Sequence, residues 1–206
     1  MKQLLLDIKP AAPPTLQNFV AGRNAEALTS LEINVSGKAA PQFTSPRFIY
    51  LWGESGSGKS HLLKACQAIG AQVADDVHLL NNEAQIALFN QYNQHKEAGE
   101  FLIAAGLYAP TQMGLRDDLA TRLAWGLVYQ LHPLNDIEKA TALKQHALER
   151  GMKLPDEVVD YCLRYLRRDL PTLMATLDAL DEWSLTMQKP ITVPMLRKLL
   201  QLNLEL

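Results

Sequence analysis

The sequence predicts an α/β fold built on a parallel sheet, followed by an all-helical unit. Three observations carry that expectation. The apolar, aromatic and β-branched run Arg47-Phe48-Ile49-Tyr50-Leu51-Trp52 leads into a glycine-rich loop and then a helical spacing. Apolar runs go on alternating with helical patterns as far as about Leu131, which is the pattern of a parallel sheet covered on both faces. Strand signals then stop.

Taken in order, Arg23 to Ile33 has helical spacing through Ala27, Leu28 and Leu31, and Gly37 to Pro46 reads as a loop rich in Ser, Ala and Pro. The strand at 47–52 ends at Gly53-Glu54-Ser55-Gly56-Ser57-Gly58-Lys59-Ser60, and His61 to Ala68 spaces as a helix. A second apolar run, Val73 to Val77, contains Asp75 and Asp76. A helix follows from about Asn82 to Ala98, with Gly99 as its stop. Phe101 to Ala105 is a strand, Leu115 to Trp125 a short helix, and Gly126 to Leu131 a last strand. Asn135 with Glu138 three residues on opens a helix that Gly151 stops, and Pro155 opens another to about Arg167. Pro171 to Met187 and Val193 to Leu202 complete the helical unit. The domain reading is a tail and linker at 1–14, an α/β domain at 15–133 and helices at 134–206.

With 206 residues, 48% of them hydrophobic, the chain can bury a core without disulfides or a structural metal. Its 20 Lys and Arg against 22 Asp and Glu give a charge of −2, which argues against sequence-independent DNA binding; contact with DNA is expected to be weak or indirect. No apolar stretch approaches the roughly 18 residues of a membrane span, and no membrane partner is expected. Cys66 and Cys162 lack a CxxC partner and read as buried free thiols in a cytoplasmic protein. His61, His78 and His95 have no metal-ligand spacing.

Residues 53–60 match GxxxxGK[ST] in full, between a strand and a helix. In that setting backbone N–H groups and the helix N-terminus converge on phosphate oxygens. Gly53, Gly56, Ser57, Gly58, Lys59, Ser60 and the adjoining His61 are therefore candidate nucleotide contacts, Lys59 reaching the β- and γ-phosphates and Ser60 holding Mg²⁺. Asp75 is the candidate carboxylate facing the Mg²⁺ shell, and Asp76 the one that could polarise an attacking water. Arg122, in Thr121-Arg122-Leu123-Ala124-Trp125-Gly126, reads either as a salt-bridging surface residue or as an arginine finger.

The loop, the Asp75-Asp76 run, the segment at 121–126, the helical C-terminal unit and Asn18-Phe19-Val20-Ala21-Gly22-Arg23-Asn24 together resemble the AAA+ module of the bacterial replication initiator DnaA. Within that family the chain is similar to the Hda-type regulatory inactivators. It ends after the helical lid, and it begins with QLLLDI, similar to the peptides that dock on the DNA polymerase sliding clamp (its β subunit). In such a peptide Gln3 would hydrogen-bond in a polar slot while Leu4, Leu6 and Ile8 enter apolar pockets, with an affinity near micromolar.

The resemblance implies a nucleotide-binding regulator, loaded with ADP or ATP and Mg²⁺, that with the clamp stimulates ATP hydrolysis by DnaA. It makes Arg122 a finger acting in trans and Arg168 the lid arginine that senses nucleotide, with Arg167 its nearby competitor. It also implies pairing of copies as a homodimer. Two departures stand out. Ala104, Ala105 and Gly106 stand where the family often has a polar sensor, so intrinsic turnover should be weak. Only 14 residues separate Ser60 from Asp75, too few for the strand and helical segment that the family inserts there. The AAA+ strand order 5-1-4-3-2 places that strand at an edge, so a four-stranded sheet is expected, its new edge short or covered. The competing reading is a self-sufficient P-loop ATPase or helicase-loader-like protein acting on nucleic acid.

Overall fold

Phe48–Trp52 (β1) is the strand around which the α/β unit is organised, buried on both faces as its unbroken apolar sequence requires. The computed structural model describes residues 13–35, 48–98, 100–166 and 169–204. Gln3, Leu4, Leu6 and Ile8, the loop 37–46, Gly99, Arg167 and Arg168 lie outside the described residues. β1 pairs in parallel with Leu102–Gly106 (β3) on one side and Leu127–Gln130 (β4) on the other. Gln72–Ala74 (β2) pairs in parallel with β3, giving the order β2-β3-β1-β4. In the AAA+ numbering this is 5-1-4-3 read from the opposite edge. Among the described residues no strand pairs beyond β2.

Strand periodicity sorts β1 and β3 side chains onto two faces. Ile49, Leu51, Ile103 and Ala105 pack with Leu31 of Ala25–Val35 (α1) and with Leu62 and Cys66 of Lys59–Ala68 (α2). Phe48, Tyr50, Leu102 and Ala104 pack with Leu88 and Tyr92, one turn apart on Asn82–Ala98 (α3), and with Leu119 and Leu123 of Asp117–Ala124 (α4). The result is a three-layer α/β unit spanning Pro13–Pro133.

From Leu134 onward the chain belongs to a second compact unit. It contains Asp136–Glu149 (α5), Asp156–Tyr165 (α6), Leu170–Met187 (α7) and Val193–Leu204 (α8). Leu143, Val159, Cys162, Leu173, Leu177, Leu180, Leu196 and Leu199 make its core. Asn135 and Glu138 form the expected capping box on α5, and Asp169 caps α7 through the Thr172 N–H.

The short link from loop to β2 is made by a helix terminus. Gly70 has φ 97°; its N–H donates to the Gln67 carbonyl and that of Ala71 to the Cys66 carbonyl. This Schellman arrangement turns the chain so that β2 begins two residues later, with no intervening strand. Among the element boundaries that differ from the sequence reading, three have a local backbone cause. β2 ends at Ala74, and Val77 lies in a 3₁₀ turn because Asp76 adopts a left-handed backbone (φ 49°) that breaks the strand. α4 starts at Asp117 because Arg116 is extended, and α6 stops at Tyr165 because Leu166 is extended.

Burial of Cys66 in α2 pushes its thiol up to about 12 from an ordinary value of 9.0. A raised folded-state value means that the neutral thiol's contribution is fully present below about pH 9 and is lost as pH climbs toward about 12. The expected outcome is a urea midpoint that falls over this range, less steeply in Cys66→Ala than in the parent. A parallel fall in the two would contradict the assignment.

Candidate nucleotide site

The glycine loop leaves the sheet at the C-terminal end of β1 and becomes α2 at Lys59. Gly58 takes the left-handed conformation there (φ 94°, ψ 8°), and no side chain caps the helix. A Cβ on Gly58 would lie 2.6 Å from the ring edge of Phe19, so glycine is required twice, by backbone and by space. The uncapped N–H groups of the first turn face the cradle that the loop encloses.

Lys59 Nζ donates to the carbonyls of Gly53 (2.7 Å) and Glu54 (2.9 Å). Burial lowers its pKa, while the charges of Asp75 and Asp76 act the other way. Ser60 Oγ donates to Asp75 Oδ2 at 2.7 Å, and Asp75 Oδ1 accepts the Asp76 N–H at 2.9 Å. The sheet thus brings Lys59, Ser60, Asp75 and Asp76 to one end, from elements that β3 separates. Ser57 Oγ is buried and has no hydrogen-bond partner.

These features fit a polyphosphate. An orphaned buried hydroxyl, an uncapped helix terminus and a lysine inside the loop all supply donors to an anion. Ser60 and Asp75 are hard oxygen donors of the kind Mg²⁺ takes. Among the described residues no three His, Cys, Asp or Glu side chains converge on a metal, so a cation here would draw its remaining oxygens from phosphate and water.

His61 points elsewhere. Its Nε2 lies 3.0 Å from the Thr15 carbonyl oxygen and its ring 5.4 Å from that of Phe19, so it holds the segment 15–19 against α2. The chain beyond that segment is held by the buried Asn24. Asn24 Nδ2 donates to the His132 carbonyl and Asn24 Oδ1 accepts the His132 N–H, each at 2.8 Å. Sequence reasoning placed Phe19 and Asn24 in one motif but could not see their partners, 39 and 108 residues away in the chain.

At the end of β3, a Cβ on Gly106 would collide with the hydroxyl of Tyr50. That hydroxyl donates to the Tyr108 carbonyl (3.0 Å) and lies 3.2 Å from Met113 Sδ, and burial raises its pKa. The apolar run at 47–52 marks Tyr50 only as a strand residue. Its length, set against a glycine two strand positions beyond its own partner Ala104, is the signal that a register would have supplied.

Arg122 is on α4. Its guanidinium lies 4.6 Å from the Trp125 ring centroid, 5.8 Å from Tyr92 and 5.9 Å from Phe89. It makes none of the loop contacts described above.

The sequence model of the Hda lid domain matches residues 136–200. An uncharacterized protein of Haemophilus influenzae is 33% identical over an alignment covering 98% of this chain and 99% of that protein. The chain belongs to the Hda/DnaA-related AAA+ family. That alignment runs to 235 positions, more than the 206 residues present here, so the relative carries residues for which this chain has no counterpart. Among solved structures, domain III of the Thermotoga maritima initiator DnaA superposes with a TM-score of 0.68 at 20% identity, over 94% of this chain and 98% of that one. AMPPCP-bound DnaA from Aquifex aeolicus gives 0.64 at 20%, over 84% and 66%. The Thermotoga maritima RuvB branch migration motor gives 0.62 at 13%, over 92% and 72%. These likenesses show the fold.

Gly106→Ala is expected to destabilise the α/β unit by about 1–3 kcal/mol through overpacking against Tyr50. In the Tyr50→Phe background the same change should cost less, because the colliding oxygen is gone. Thermal unfolding of the four proteins measures this, and equal costs in both backgrounds would refute the collision.

Proposed function

We propose that this chain is a nucleotide-binding regulator of replication initiation which, docked on the DNA polymerase sliding clamp, stimulates ATP hydrolysis by DnaA and so inactivates it. The observation that carries the reading is the union, in one chain, of the Hda lid with a phosphate loop whose lysine, serine and acidic partners converge. AMPPCP bound to the Aquifex aeolicus DnaA supports an adenine nucleotide, ADP or ATP, as the ligand here.

In this reading residues 1–14 are the clamp-binding tail, 15–133 the nucleotide domain and 134–206 the lid. Gly53, Gly56, Ser57, Gly58 and the start of α2 bind phosphate oxygens through N–H and hydroxyl donors, and Lys59 leaves the Gly53 and Glu54 carbonyls to pair with the β- and γ-phosphates. His61 supports this contact by holding Phe19 over Gly58. Ser60 and Asp75 hold Mg²⁺, which when bound neutralises phosphate charge. Asp76 stands next to them as the carboxylate able to orient a water. Arg168 reads the nucleotide from the lid.

Hydrolysis of the chain's own nucleotide is weak, because Tyr50 fills the space beside Gly106 where a polar sensor side chain would stand. Catalysis is instead delivered to the partner. Arg122 supports charge building on the DnaA γ-phosphate, an effect worth about 10³–10⁵ in rate for arginine fingers. Gln3, Leu4, Leu6 and Ile8 bring the chain to clamp on DNA, which suits its charge of −2. The protein acts in the cytoplasm and pairs as a homodimer. Among the described residues no helix is long and apolar enough to cross a membrane.

Two variants test the reading. Gln3→Ala with Leu6→Ala should lose clamp binding and clamp-dependent hydrolysis of DnaA-bound ATP while keeping affinity for a fluorescent ADP analogue. Lys59→Ala should do the reverse, weakening that analogue about 10- to 100-fold, the value of charge-assisted hydrogen bonds, with clamp binding intact. Rapid ATP turnover by the isolated protein, or stimulation that needs no clamp, would favour the self-sufficient ATPase instead.

A further inference from the structure

The surroundings of Arg122 are unusual for an arginine on an exposed helix. Asp118 lies four residues before it on α4, the spacing at which an acidic and a basic side chain meet on one helix face. Yet Asp118 is engaged elsewhere. Its Oδ1 accepts Arg116 Nε at 3.1 Å and its Oδ2 accepts Arg116 Nη2 at 2.7 Å, a two-pronged pair, and Oδ1 also accepts the Leu119 N–H. Through the hydrogen bond from Arg116 the Asp118 carboxyl is held below the usual carboxylate range, and Arg116 is raised in turn. Arg116 is itself anchored, its backbone N–H donating to Gln85 Oε1 of α3 at 2.9 Å. Among the described residues no carboxylate pairs with Arg122. The guanidinium rests on rings instead, with Trp125 nearest and 61% exposed, and Tyr92 and Phe89 behind. Lys96 Nζ also faces Trp125, 6.0 Å from its centroid, so the surface carries two cations on one indole.

We propose that Trp125 and the Arg116–Asp118 pair are positioning residues that keep the Arg122 guanidinium fixed in direction and unneutralised, ready for an anionic oxygen of a partner's triphosphate. Stacking uses the face of the guanidinium plane and leaves its N–H edge open, which is the edge that forks onto phosphate. A carboxylate in its place would occupy those donors and would have to be displaced at every encounter. By diverting Asp118, Arg116 removes the one carboxylate that helix geometry offers. The inference rests on the reading in which Arg122 acts on DnaA-bound ATP.

The experiment measures clamp-dependent hydrolysis of ATP bound to DnaA, as saturating rate and half-saturating concentration, for the full chain. Arg122→Ala tests the underlying reading, and unchanged stimulation there would remove the basis for both. With that control abolished as expected, Arg116→Ala frees Asp118 to capture Arg122 and should lower the saturating rate about two- to fivefold, the scale of an exposed ion pair. Adding Asp118→Asn should restore it, a recovery that loss of folding would not show. Trp125→Ala should lower the rate about fivefold with little change in half-saturation, and Trp125→Phe should retain most of it. A silent Arg116→Ala, or a defect that Asp118→Asn does not rescue, would overturn the role of the pair. Equal behaviour of Trp125→Ala and Trp125→Phe would overturn that of the indole.

Discussion

Parallel pairing of β1 on both of its edges is the constraint on which the rest of the molecule depends. Phe48 to Trp52 has neighbours on each side, so its C-terminal end is fixed in direction and depth, and the glycine loop that follows starts from a rigid point. The loop itself contributes little rigidity, being rich in glycine. Its shape is set by Phe19 against Gly58 from outside and by the carbonyls of Gly53 and Glu54 closing on Lys59 from within. Function at such a site is a matter of where backbone donors point, and pointing is inherited from the sheet.

The same constraint explains how the family's fold survives a shortened chain. The acidic pair must reach the end of the sheet beside Ser60, and it does so from an edge strand of only three residues, with the Gly70 turn carrying α2 directly into it. An edge can be cut back because it supports nothing beyond itself, whereas removal of β1 or β3 would unpair two neighbours. A three-residue edge also offers few free N–H and C=O groups to another chain. The Ser60–Asp75 hydrogen bond then ties the two ends together across the intervening β3.

Much of this was legible in the residues. The order of strands and helices, the strand count and the capping box at Asn135 all follow from periodicity and from residue types with strong local preferences. Boundaries slipped where one backbone torsion overrode the pattern: Asp76 in the left-handed region ended β2 early, and extended Arg116 delayed α4. At the site, the GKS run located Lys59 and Ser60 because a phosphate cradle is a local object. The choice between a salt-bridged and an available Arg122 was not legible, since Asp118 stood at bridging distance along the helix and only its capture by Arg116 decided the matter.

Sequence alone determined which backbone turns could form, which stripes would be buried and where phosphate chemistry could occur, because these depend on neighbours within a few residues. Tertiary structure decided what each of those groups actually faces. It set Asn24 on His132, Phe19 over Gly58, Tyr50 beneath Gly106 and three rings around Arg122, contacts made across the sheet or between helices. The physical reason is range: hydrogen-bonded turns and hydrophobic stripes are encoded over one or two turns of chain, while the pairing of distant side chains is set only once β1 has brought its neighbours into register.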